Sequence, residues 1–112
     1  DNGWGNSLIA RLNVSNLNKK DVFFFLSVGG GDLSKKISVN LINLLKFSNK
    51  KGIKSISILG RKKSYLSKNS TVSLILPESK KIFLTPFAES FQLLILHLIV
   101  SHPDILKNKT KW

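Results

Sequence analysis

The feature that most constrains this 112-residue chain is an apolar segment that runs without interruption into three consecutive glycines. Val22–Ser27 is rich in aromatic and β-branched residues, and Gly29, Gly30 and Gly31 follow it almost at once. A continuous apolar run of this kind is typical of a strand that is buried on both faces. The glycines end it, because they favour turns. We therefore expect a buried strand followed by a tight loop.

A helix is predicted after the glycines, beginning between Ser34 and Ser38, since apolar residues then recur at helical spacing. Gly52 stands where a C-terminal cap would lie. Glycine N–H groups at the positive end of a helix can bind an anion, and the hydroxyls of Ser27, Ser34 and Ser38 can add donors. The alternative is a plain tight turn with solvent-facing serines, because neither a complete GxGxxG nor a GxxxxGK[ST] pattern is present.

The rest of the chain alternates predicted helices and strands. In order, these are a short amphipathic helix within residues 1–21, a strand at 53–59, a short helix or turn at 65–69, a strand at 71–76, a helix at about 86–101 and a basic tail at 104–112. Strands separated by helices predict an α/β fold with a parallel sheet and right-handed crossovers. Three strands are few for a doubly wound domain, so we expect other material to complete the sheet.

The predicted last helix is apolar around nearly its whole circumference. A helix of this kind is normally buried on more than one side. We therefore expect it to pack on the sheet and also against a partner subunit or further domain elements, which indicates a homo-oligomer.

Composition limits the classes of function. The chain has no cysteine, which excludes disulfides, thiolate metal sites and thiol nucleophiles. No apolar run is as long as a membrane span and no secretory signal is recognisable, so we expect a cytoplasmic protein without a membrane partner. The formal net charge is +12, but the lysines occur mostly as pairs at the edges of apolar segments. This distribution argues against a dedicated nucleic-acid surface and favours solvated lysines that also attract an anionic ligand.

Several short motifs together resemble the C-terminal part of the phosphoheptose isomerases, which belong to the sugar isomerase (SIS) domain superfamily. The resemblance covers essentially the whole chain and depends on the order and spacing of segments that include Asp21 to Gly31, Ser38 to Leu41, Gly52 to Lys54, Gly60, Glu89 to Gln92, His97 and Ser101 to Pro103.

The resemblance implies a three-layer α/β/α SIS domain, usually tetrameric, with a flavodoxin-like or Rossmann-like parallel sheet. It implies an enzyme that interconverts sedoheptulose 7-phosphate and D-glycero-D-manno-heptose 7-phosphate, which supplies heptose for lipopolysaccharide or capsule. The family's earlier Gly-Asn-Gly-Gly-Ser loop and its catalytic glutamate have no counterpart in this sequence. We therefore expect the chain to be the C-terminal portion of the domain.

The resemblance also implies site residues. The family's phosphate loop begins at Ser27, includes Gly29, Gly30 and Gly31, and ends at Ser38 if the segment between contains an insertion. The loop's middle serine is a glycine here, which leaves the identity of the sugar open. A Gln or Glu followed eight residues later by a His corresponds to Glu89 and His97, with His97 as the catalytic acid or base. Some relatives bind zinc through these two positions, although a core histidine is the alternative for His97.

Two functions of different classes follow from these observations. The pair Glu89 and His97 favours a sugar-phosphate isomerase. The altered serine loop and the lack of the upstream base favour a non-catalytic SIS module that binds a sugar phosphate or a partner protein.

Overall fold

The computed structural model of the chain describes residues 3–108. Its main elements are helix α1 (Gly3–Asn13), strand β1 (Val22–Ser27), helix α2 (Val39–Lys51), strand β2 (Lys54–Leu59), helix α3 (Tyr65–Asn69), strand β3 (Val72–Ile75), a 3₁₀ turn (Lys81–Phe83) and helix α4 (Leu84–Val100). The strands form one parallel sheet in the order β1-β2-β3. The predicted α/β class and three parallel strands are therefore confirmed, and residues 109–112 of the predicted tail lie outside the described range.

Helices cover the two faces of the sheet unequally. One face packs against α2 and α3, with α1 packed on α2, around a core that contains Phe25, Ile42, Leu44, Leu45, Leu59 and Leu66. The other face contacts α4 through the small cluster of Ile58, Leu76 and Ala88. This arrangement is compatible with a three-layer α/β/α architecture.

Strand β1 is not buried on both faces, contrary to the prediction. Phe25 is buried, but the side chains on the opposite face are exposed, Phe24 to 43% and Leu26 to 41%. The reason is that β1 is an edge strand in this sheet and α4 covers only part of the second face. The bounds of β1 and of α3 agree with the predicted ones.

The start of α2 is later than predicted, because residues 32–37 form a structure of their own. Asp32 and Ile37 pair in an isolated antiparallel bridge, and Ser38, the N-cap residue, has a left-handed backbone with φ 51°. The predicted end at Gly52 is confirmed, since Gly52 has φ 69° and donates its N–H to the carbonyls of Asn49 and Ser48.

Helix α4 begins two residues before the predicted Pro86 and ends at Val100. Pro86 still lies in the first turn, where its missing N–H has no helical partner to lose. Within α4 only Ala88 and Gln92 are buried, and Leu98 is 62% exposed. The helix therefore packs on the sheet by one narrow stripe and leaves most of its apolar surface uncovered.

One helical stretch, Lys81–Val100, is long and apolar enough to cross a membrane by length and composition alone. The expectation that no apolar run is long enough to span a membrane is therefore wrong for this stretch. A single helix that meets this criterion is weak evidence, so the stretch does not by itself indicate a membrane protein.

Candidate functional site

The candidate site lies where the parallel strands end at their carboxyl edge. The glycine loop follows β1, the segment Gly60 to Ser64 follows β2, and the segment before α4 lies beside both. In open α/β sheets, ligands bind at this edge because the loops there converge while the strands hold them in place.

The glycine loop is fixed to the first turn of α3. Gly30 and Gly31 have positive φ angles of 69° and 80°. Their carbonyl oxygens accept hydrogen bonds from the N–H groups of Leu66 at 2.9 Å and of Tyr65 at 3.0 Å. The N–H of Gly30 donates to the hydroxyl oxygen of Ser27 at 3.0 Å. The loop is thus rigidly held, and the N–H of Gly30 is used within it.

The acidic residue after the glycines organises the next turn. The carboxylate of Asp32 accepts hydrogen bonds from the Ser34 hydroxyl at 2.6 Å and from the N–H groups of Ser34 at 2.9 Å and Lys35 at 3.1 Å. These bonds, led by the one from the Ser34 hydroxyl, hold the pKa of Asp32 below its usual range. The hydroxyl of Ser34, predicted to be a donor to an anionic ligand, therefore donates to Asp32 instead.

A cleft of about 360 Å³ opens beside this loop. Its lining is Val28, Gly29, Gly31, Asp32, Lys35, Ile37, Arg61, Lys63, Lys81, Leu84 and Thr85. Four of these side chains are cationic and one is a carboxylate, which gives the cleft a formal charge of +3. We call it the basic cleft. Its charge and its position at the strand ends favour an anionic ligand.

The structure brings together only part of the predicted phosphate loop. Gly29 and Gly31 line the basic cleft, whereas Gly30, Ser27 and Ser38 do not. Within the part of the chain that the structure describes, the N–H groups of Gly29 and Gly31 have no protein acceptor. Gly29 is half-buried and Gly31 is buried, and both line the cleft, so their N–H groups are the candidate backbone donors to a ligand.

The cations of the basic cleft were not recognised in the sequence as site residues. Arg61 and Lys63 follow β2 directly, and Lys81 begins the turn before α4. The signal that could have found Arg61 and Lys63 is their position, since residues just after a parallel strand lie at the ligand-binding edge. Lys81 has no such signal, because only the packing of α4 brings it to the cleft.

Glu89 and His97 are exposed on α4 and do not line the basic cleft. They are eight residues apart on one continuous helix, so about 12 Å separates them along its axis. His97 is thirteen residues beyond Leu84, which lines the cleft, and this is about 20 Å along the same axis. One chain therefore does not place His97 next to a ligand in its own basic cleft.

The two residues do not fit a zinc ion within a single chain. Carboxylate and imidazole are suitable ligands, but they must all lie within about 2.2 Å of the ion. The 12 Å separation prevents this for Glu89 and His97. Among residues 3–108 there is also no group of three His, Cys, Asp or Glu side chains that could hold a metal.

Comparison with known protein families gives no match, and neither does comparison with curated proteins. One solved structure, described as the crystal structure of a hypothetical protein, superposes with a TM-score of 0.45 and 17% sequence identity. The superposition covers 83% of this chain and 60% of the other, so the chain spans less than two thirds of that protein. A similarity at this level carries no functional information.

Proposed function

We propose that this chain binds a sugar phosphate as the C-terminal portion of an SIS domain, in a sugar-phosphate isomerase of the phosphoheptose isomerase type. The observation that supports this most is the glycine loop at the end of β1, which opens onto a cleft with a formal charge of +3. The cleft by itself favours a phosphate group, and the resemblance to the SIS superfamily is the reason to propose that this phosphate belongs to a sugar. The reaction would interconvert sedoheptulose 7-phosphate and D-glycero-D-manno-heptose 7-phosphate.

The residues of the cleft suit a phosphate group. The N–H groups of Gly29 and Gly31 can donate to its oxygens, and Lys35 lies on the same loop. Hydrogen bonds in which one partner is charged are about twice as strong as neutral ones. A phosphorylated sugar should therefore bind much more tightly than its unphosphorylated parent.

Catalysis would require His97 from a different chain. Aldose–ketose isomerisation moves a proton between two neighbouring carbons, and an imidazole that titrates near neutral pH can serve as the acid or base. Since His97 is about 20 Å along α4 from the cleft of its own chain, we propose that a neighbouring subunit supplies it. The exposed apolar surface of α4 would form the contact between these subunits.

The second candidate is a non-catalytic SIS module that binds the same ligand. It is favoured by the chemistry of the cleft: among the described residues that line it, Asp32 is the one carboxylate and none is a histidine. Asp32 is a poor general base near neutral pH, because its pKa is lowered and its Oδ1 already accepts three hydrogen bonds from the loop.

Titration calorimetry on the full chain tests the binding function. The ligands are sedoheptulose 7-phosphate and sedoheptulose, each measured with the wild type, with Lys35→Gln and with Lys20→Gln. Lys20 is exposed and lies outside the cleft, so its replacement controls for the loss of one charge. We expect only sedoheptulose 7-phosphate to bind, and only Lys35→Gln to weaken its binding. Equal affinity for the two sugars would exclude the proposed function.

Turnover separates the two candidates. Sedoheptulose 7-phosphate is incubated with the full-length protein that contains this chain, and the aldose is followed by NMR. An isomerase converts it, and His97→Ala abolishes the conversion. Tight binding without conversion would identify the non-catalytic module.

A further inference from the structure

A second cleft, of about 550 Å³, lies directly beside the basic cleft. Its lining includes Gly60, Lys62, Glu78 and Ser79, and we call it the outer cleft. Four residues line both clefts: Arg61, Lys63, Lys81 and Leu84. Three cationic side chains thus stand at the boundary between two adjoining spaces.

These three cations have no acidic partner in the described part of the chain. Arg61, Lys63 and Lys81 make no ion pair among residues 3–108, and all three are exposed. They come from two elements, the loop after β2 and the turn before α4. Like charges brought together repel one another unless an anion lies between them. Their convergence therefore indicates a ligand with negative charge at the boundary as well as at the glycine loop.

The charge of the combined clefts exceeds that of one phosphate group. Together they are lined by five cations and two carboxylates, Asp32 and Glu78, which gives a formal charge of +3. A phosphate monoester carries about −1.5 to −2 near neutral pH. A ligand with one phosphate would leave positive charge uncompensated, whereas a second anionic group would balance it.

We propose that the two clefts take a sugar with two anionic groups. A phosphate binds at Gly29, Gly31 and Lys35 in the basic cleft, and the second group binds between Arg61, Lys63 and Lys81. The second group is either another phosphate or a carboxylate, since both accept hydrogen bonds from guanidinium and ammonium groups. This inference rests on the proposed function and specifies the class of ligand within it.

Calorimetry with three sugars on the full chain tests the inference. Fructose 6-phosphate carries one anionic group, fructose 1,6-bisphosphate carries two phosphates, and 6-phosphogluconate carries a phosphate and a carboxylate. We expect at least one of the last two to bind about tenfold more tightly than the first, because the extra group gains charged hydrogen bonds. Whichever of them binds more tightly identifies the second group.

A pair of double variants separates a built site from general attraction to a basic protein. Arg61→Gln with Lys63→Gln and Lys20→Gln with Lys50→Gln each remove two positive charges, but the second pair lies outside both clefts. Only the first should bring the ratio between the affinities for the doubly anionic sugar and for fructose 6-phosphate close to one. Thermal unfolding checks that both variants are folded.

Three results would overturn the inference. The first is an affinity ratio near one in the wild type, which leaves the proposed function intact if fructose 6-phosphate binds and fructose does not. The second is an equal loss in both double variants, which would show attraction by net charge alone. The third is no binding of any sugar phosphate, which would remove the proposed function as well.

Discussion

Gly30 lies directly against the side chain of Ser64, the N-cap residue of α3. A Cβ atom on Gly30 would approach the Cβ of Ser64 to 2.6 Å, and the backbone there has a positive φ of 69°. Ser64 in turn accepts a hydrogen bond from the N–H of Ser67 and completes a capping box. The glycine loop and the start of α3 are therefore packed so closely that Gly30 cannot carry a side chain.

Gly30→Ala is expected to destabilise the fold by about 2 kcal/mol or more, from steric overlap and backbone strain together. Urea unfolding followed by circular dichroism measures the change. Gly29→Ala is the matched control, because nothing lies within 4 Å of a Cβ there and its φ is not positive. Equal stability of the two variants would contradict the described loop geometry.

Ser48→Ala is expected to lower the free energy of unfolding by about 1 to 3 kcal/mol. The buried hydroxyl of Ser48 donates to the carbonyl oxygen of Ile53 at 2.8 Å, across the turn between α2 and β2. The control is Ser90→Ala, whose hydroxyl also donates to a carbonyl, that of Pro86, but on an exposed helix surface. The control should change the free energy by less than about 0.5 kcal/mol.

The carboxyl of Asp32 is expected to titrate below its ordinary pKa of 3.8. The ionised form then stabilises the folded loop above pH 3.8, and this contribution is lost as the pH falls through the folded-state pKa. Ser34→Ala removes the 2.6 Å hydroxyl donor and should move the pKa toward 3.8. Carbon-detected NMR of the Asp32 carboxyl follows both titrations, and an unchanged midpoint in Ser34→Ala would argue against that bond in solution.

The chain is expected to associate through α4. Sedimentation equilibrium should show an oligomer that Leu98→Gln weakens by removing apolar area from the contact. Val14→Gln is the control, since Val14 is 86% exposed but lies beyond the end of α1. A wild-type chain that remains monomeric at high concentration would refute this expectation.

Local patterns predicted the elements, because they depend on short stretches of sequence. The apolar run of β1 and the glycine cap at the end of α2 define those elements within a few positions of the chain. Burial was harder to predict, since the exposure of Phe24 depends on how much of the sheet α4 covers. A continuous apolar run has the same sequence pattern whether helices cover both faces of the strand or only one.

The candidate site was predictable only where it coincides with a turn. The glycine loop is evident in the sequence, and Gly29 and Gly31 do line the basic cleft. That the N–H of Gly30 bonds to Ser27 depends on the φ angles of the loop, which no residue pattern specifies. The meeting of Arg61 with Lys81 depends on tertiary packing across 20 positions of sequence.

The parallel pairing of β1 with β2 sets the order of events when the chain folds. Val22 pairs with Lys54, 32 positions further along. Because the two strands are parallel, α2 must first carry the chain back to the end of the sheet where β1 begins, and only then can the hydrogen bonds between β1 and β2 form. Contacts so distant in sequence form slowly, because the entropy of closing the loop is lost before the ladder compensates for it. The glycine loop and Arg61 lie at the far ends of these two strands. A refolding chain will therefore regain helical circular dichroism before it regains the ability to bind an anion.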